Sequence, residues 1–212
     1  MTINYYGEGC FKIQTGDTVI LADPFDKSVG LVPPRIKPDI AVKTITPFPS
    51  AEGEEGEGGT KLISSAGEYD ISGIKILGLP ITKESTDKFL KNAYVIDAEK
   101  IRLCFLGHIS ETPEPSVLEY IEDIDILFLP AGGAPFIDQK SAAKLARQLE
   151  PKIIIPTFHK QAGLKRKADD LKVFLGEFGG TKDGFFKEQE KLSVKKKDFS
   201  ESKGTEVVAL KI

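Results

Sequence analysis

Between Ile124 and Ile155 the chain reads strand, helix, strand with short links, and that order requires a parallel pair of strands somewhere in the fold. Ile124–Leu129 is apolar apart from Asp125 and ends at Pro130 and a Gly132-Gly133 turn. Asp138 stands where an N-cap belongs, and Ala142, Ala143, Leu145, Ala146 and Leu149 fall on one helical face. The second strand, Lys152–Ile155, stops at Pro156. The Gly132-Gly133 pair lacks the spacing of a phosphate-binding loop and is read as a plain turn.

The first half of the chain is a series of short apolar runs. Thr2–Tyr6, Cys10–Gln14 and Thr18–Ala22 read as strands, the last two joined by a hairpin turn at Thr15-Gly16-Asp17. Asp39–Ile45, Lys61–Ser64, Gly73–Leu77, Ala93–Asp97 and Ile101–Leu106 continue the series, with Gly67-Glu68-Tyr69 as a turn ahead of one of them. A helix over Lys165–Phe178 and closing strands at Lys191–Lys195 and Glu206–Lys211 are expected at the end. Residues 1–212 suit a single α/β domain with much antiparallel sheet. Ala51–Gly59 has nothing to bury and is expected to be a flexible acidic Gly/Glu loop. The three lysines at Lys195–Lys197 read as a solvated strand end.

Charge and cysteine usage narrow the partners. A net charge of −3 supplies no field that would gather nucleic acid or an anionic membrane, so neither is expected as a partner. No apolar run approaches the roughly 20 residues that span a bilayer, and the opening MTINYYGEG has neither the basic nor the apolar part of a secretory leader. Cys10 and Cys104 lie in separate apolar runs, so reduced, buried thiols and a cytoplasmic protein are expected.

Five stretches carry a resemblance. They are GEGCFKI, ILADPFDKSVGLVPPRIKPDI, AGEYDISGIKILGLP, NAYVIDAEKIRLCFLG and DIDILFLPAGGAPFIDQKSAAKLARQLEPKIIIP. In order and spacing they resemble the small, single-domain Zn-dependent hydrolases of the metallo-β-lactamase superfamily, the branch similar to ascorbate-6-phosphate lactonases. The resemblance implies a four-layer αββα sandwich, with two zinc ions at its edge and a bridging water made nucleophilic by them.

The side chains that should hold those ions are nearly all replaced. Where the family has an HxHxDH loop, this chain has Ile45-Thr46-Pro47-Phe48-Pro49-Ser50, without a histidine or an aspartate. A later family histidine falls near Lys83, the family's Gly-Asp becomes Gly107-His108, and Gly-His-Ser becomes Gly7-Glu8-Gly9. At the last ligand, Phe158 takes the place of the histidine and His159 stands one residue late. On an extended segment that shift turns the side chain to the other face. The candidate cleft residues are therefore His108, His159, Asp23 and Glu8, with Asp23 most simply holding backbone N–H groups. The expectation is a degenerate member with no metal, no hydrolase activity and an unknown small molecule or nothing as its partner. The alternative is a hydrolase for a small ester, lactone or phosphate-bearing substrate, built on a mononuclear zinc held by His108, His159 and Glu8 or Asp23.

Overall fold

The fold is given by a computed structural model, in which residues 1–49, 57–180, 186–200 and 204–212 are described. Residues 51–56 of the acidic stretch lie outside the described residues, and Glu57–Gly59 forms a short 3-10 turn. In chain order the elements are β1 (Thr2–Gly7), β2 (Cys10–Thr15), β3 (Thr18–Ala22), β4 (Ile40–Val42), β5 (Ile45–Pro47), β6 (Lys61–Ile63), β7 (Gly67–Ile71), β8 (Ile74–Pro80), β9 (Phe89–Ala98) and β10 (Ile101–Phe105). There follow α1 (Pro115–Leu118), β11 (Ile126–Pro130), α2 (Gln139–Leu149), β12 (Ile153–Thr157), α3 (Leu171–Gly176), β13 (Phe186–Gln189), β14 (Leu192–Ser193), α4 (Lys196–Ser200) and β15 (Glu206–Leu210).

The strands form two sheets. One runs β14-β1-β2-β3-β4-β6, and the other runs β13-β15-β12-β11-β10-β9-β8-β7 with β5 added against β9. Between them lies a core of Ile3, Phe11, Ile13 and Ile20 from the first sheet and Tyr94, Ile96, Leu103 and Phe128 from the second. β1 alternates half-buried and buried residues, as a strand with one face on a core should. β11 is buried at every position because its other face is covered by helix: Leu127 and Leu129 join Ala142 and Leu145 of α2 and Phe174 of α3 in a second cluster. This is a mixed, sheet-rich α/β sandwich with few helices, the fold class that the resemblance implies.

Several elements follow their local chemistry closely. Asp138 caps α2, its Oδ1 accepting from the Ser141 amide at 3.0 Å. β2 and β3 meet at Thr15 and Thr18 across a Gly16-Asp17 turn, with Gly16 at φ +55°. Cys10 and Cys104 are free and buried, and burial pushes the Cys104 thiol up to about 12.

Other elements depart from the sequence reading. Gly67-Glu68-Tyr69 is not a turn but the start of β7, which pairs with β8 from Gly67 opposite Gly78 to Ile71 opposite Ile74. The expected helix over Lys165–Phe178 begins only at Leu171, capped by Asp170. Upstream of it, the amides of Lys165 and Asp169 donate to the carbonyls of Val29 and Gly132, both at long range, and so cannot serve a helix. Lys196 and Lys197 open α4 rather than end a strand, and the Lys196 ammonium sits 2.8 Å from Asp125. No helix of the described residues is long and apolar enough to cross a membrane.

Candidate functional site

The carboxyl ends of five strands converge on one side of the sandwich, where irregular backbone is free to carry polar side chains. Asp23 follows β3, Lys43 and Thr44 follow β4, His108 follows β10, Phe136 lies beyond β11, and Phe158 follows β12. Glu8 enters from the β1–β2 turn and Arg166 from the stretch before α3. All of these except Thr44 line a cleft of about 380 Å³, a size within the usual range for small-molecule pockets.

Two polar constellations sit in this cleft. In the first, both oxygens of Asp23 are taken by one residue: Oδ1 accepts from the Thr44 amide and Oδ2 from the Thr44 hydroxyl, each at 2.7 Å. The same hydroxyl lies 2.7 Å from Nδ1 of His108. The approach is made through Gly107, at φ +60°, where an added Cβ would stand 2.2 Å from the Thr44 side chain. Burial raises the pKa of Asp23 and lowers that of His108, each disfavouring the charged form.

In the second constellation Arg166 forks onto Glu8. Nε lies 3.0 and 3.1 Å from the two carboxylate oxygens and Nη2 lies 2.8 Å from Oε2. Nη2 also donates to the Phe158 carbonyl. The guanidinium lies 4.9 Å from the centroid of Phe136, whose ring stacks on Phe158 at 4.2 Å. Phe158 in turn meets His108 edge-on at 4.8 Å. Room for the Phe158 ring comes from Gly9, where a Cβ would lie 2.6 Å from the ring.

Of the residues singled out from the sequence, Glu8, Asp23 and His108 share this cleft and His159 does not. His159 lines a different cavity, of about 510 Å³, beside Leu31, Leu171 and Ile212. Its Nε2 is 2.7 Å from the Gln161 amide, and its ring stacks on Tyr5 at 5.8 Å. Burial lowers its pKa to about 4. A mononuclear site drawing on both imidazoles is thus not assembled. Lys83 is exposed on a short turn and does not line the cleft.

The segment where a ligand loop would stand is straightened into β5, paired with β9 from Ile45 opposite Lys91 to Pro47 opposite Phe89. Its Ile45 and Pro47 face the cleft with apolar surface. The donor set does not fit two zinc ions. One carboxylate is matched to a guanidinium, the other to Thr44, and the single imidazole in the cleft is bonded through Nδ1. Among the described residues no group of three or more His, Cys, Asp or Glu comes together to hold a metal ion.

Thr44, Phe136 and Arg166 are the site residues that sequence reading missed. Thr44 was visible only as a strand end. Arg166 lies 158 residues from Glu8, in a stretch whose composition reads as helix.

Two facing sheets with a cleft at the strand ends define the class, a metallo-β-lactamase-type sandwich. A family model described as beta-lactamase superfamily domain matches residues 2–158, and the chain belongs to that family. Among solved structures it is similar to a protein from Thermotoga maritima assigned as a Zn-dependent hydrolase of the metallo-β-lactamase superfamily. The two share 26% identity over 100% of both chains, with a TM-score of 0.78. A protein from Parabacteroides distasonis assigned as a metal-dependent hydrolase matches at 19% identity over 99% and 93% of the two chains, TM-score 0.61. A metallo hydrolase from Ignicoccus hospitalis matches at 17% identity over 84% and 91%, TM-score 0.58. The last two likenesses concern the fold alone. No curated protein matches the chain.

Proposed function

We propose that this chain keeps the family's sandwich and cleft but has given up metal-dependent hydrolysis, and that the cleft now serves as a small-molecule pocket. The relatives above are assigned as zinc- or metal-dependent hydrolases. What carries the different reading for this chain is the Arg166–Glu8 ion pair, pinned under Phe136 and Phe158. It takes up the lone pairs of the Glu8 carboxylate and sets two aromatic rings in the cleft where the family's chemistry needs ligands. A guanidinium does not deprotonate in a protein, so it holds the Glu8 carboxylate at any working pH. Zinc chemistry calls for about three protein ligands and an open position, and His108 alone has an imidazole in reach.

Within this reading the cleft residues bind and orient. The Asp23–Thr44 contact fixes one wall, the Arg166–Glu8 pair fixes the other, and Phe25, Ile45 and Pro47 line the space between with apolar surface.

The test is elemental analysis of protein purified without chelators, followed by a zinc titration and an assay on p-nitrophenyl esters and bis(p-nitrophenyl) phosphate. The expected result is metal far below one ion per chain and no turnover above the His108→Ala variant. Near-stoichiometric zinc, manganese or iron that the His108→Ala substitution removes would overturn the proposal.

A further inference from the structure

The chain of hydrogen bonds behind His108 fixes where its proton sits. With Asp23 ionised, its Oδ2 accepts the Thr44 hydroxyl proton at 2.7 Å. A hydroxyl has one proton to give, so the Thr44 oxygen can meet His108 only as an acceptor, and Nδ1 must be the donor across their 2.7 Å contact. Neutral imidazole carries one proton. With that proton on Nδ1, the far nitrogen, Nε2, bears a lone pair. Nε2 has no hydrogen-bond partner among the described residues, and the side chain is 23% exposed where it lines the cleft.

The neighbouring polar groups of the cleft floor are otherwise engaged. Asp23 is held at both oxygens by Thr44, and Glu8 at both by Arg166. Arg166 spends two more donors on the carbonyls of Phe158 and Lys167, which leaves one Nη1–H. The walls contributed by Phe25, Val29, Ile45 and Pro47 are apolar. An occupant therefore meets apolar surface, the Lys43 side chain and one strong acceptor. An ether or ester oxygen would face a lone pair with a lone pair, whereas a hydroxyl would complete the chain.

We propose that the cleft takes a small, largely apolar molecule that presents a hydroxyl, an alcohol or a phenol, whose O–H donates to Nε2 of His108. This rests on the reading that no metal occupies the cleft. Asp23 and Thr44 act as positioning residues, setting the tautomer without touching the ligand. Their role has a reversible signature. Asp23→Asn keeps the shape and the acceptor for the Thr44 amide, but its amide nitrogen donates to the Thr44 hydroxyl. The hydroxyl must then donate to Nδ1, and the imidazole proton moves to Nε2. The cleft would then offer a donor in place of an acceptor, a change of tautomer of the kind known to disable a catalytic histidine when its aspartate becomes asparagine.

The experiment is nitrogen NMR of the histidine rings at neutral pH, on protein of measured metal content, titrated with phenol and with anisole as its methylated control. The wild-type chain is expected to show His108 protonated at Nδ1, with Nε2 moving on addition of phenol and half-saturation on the order of millimolar, and with anisole leaving it in place. Asp23→Asn is expected to move the proton to Nε2, to weaken phenol about tenfold and to admit anisole. Three results would each overturn the assignment: a wild-type His108 protonated at Nε2, no response to phenol, or equal responses to phenol and anisole. The wild-type measurements decide the matter even if the variant does not fold. Zinc added to the same sample separates the two readings. A stoichiometric shift of His108 by zinc defeats the metal-free cleft, whereas a silent zinc titration with a failed phenol titration defeats only the ligand.

Discussion

At the scale of single residues, the cleft side chains come in matched sets. Phe158 fits only because position 9 is glycine, and Glu8 is tolerable inside the cleft only because Arg166 reaches it. The Glu8 side chain is 11% exposed and that of Arg166 is 24% exposed, so the pair is largely withdrawn from water. Breaking such a pair from one side leaves a carboxylate uncompensated. Arg166→Met is expected to cost about 2–3 kcal/mol, at or below the usual range for buried pairs because some water reaches this one. The urea midpoint should fall accordingly, and Glu8→Gln combined with Arg166→Met should recover most of the loss. A single variant as stable as the parent would mean that the ion pair holds nothing in place. The lack of histidine and aspartate over Ile45–Ser50 was legible residue by residue, since isoleucine, proline and phenylalanine have no lone pair to offer. The compensating partners were not, because a guanidinium 158 positions away leaves no local pattern.

At the scale of elements, what could be read was what neighbours in sequence decide. The α2 cap, the β2–β3 turn and the strand-helix-strand of β11, α2 and β12 all rest on contacts within a few residues. What could not be read rests on partners far along the chain. β7 exists because β8 is there to pair with it, and its own residues are largely exposed. The stretch before α3 forgoes helix for bonds to Val29, Gly132, Glu8 and Phe158. Two variants test this division. Asp138→Ala removes a local cap and should cost about 1 kcal/mol without changing the cleft. Gly107→Ala acts at long range, since its methyl group would meet Thr44 at 2.2 Å in a backbone conformation that already disfavours a side chain. It should cost more than the cap and also detach His108 from Thr44, visible as a change in the His108 ring resonances. If Gly107→Ala leaves those resonances unchanged, the tight approach is not what holds the contact.

At the scale of the molecule, the two histidines couple stability to pH. His159 is held at about 4 by burial, against about 6.5 in an unfolded chain. As pH falls through 6.5 the unfolded chain takes up a proton that the native state refuses. Stability is therefore full above that value and drains away down to about pH 4, by on the order of 3 kcal/mol. His108, lowered by burial, works in the same direction. Asp23, raised by burial, works in the opposite one: its contribution is present in acid and is lost as pH rises through its folded value. Urea midpoints measured between pH 7.5 and 4.5 should fall, and less steeply in His159→Phe; a flat profile would contradict the burial of that imidazole. The same residue carries a consequence for the cleft. Phe158 and His159 are neighbours that line separate cavities, with the chain turned at Phe158 by its φ of +59°. Removal of Phe158 alone would bring the His159 imidazole to the position whose ring now meets His108 in the cleft.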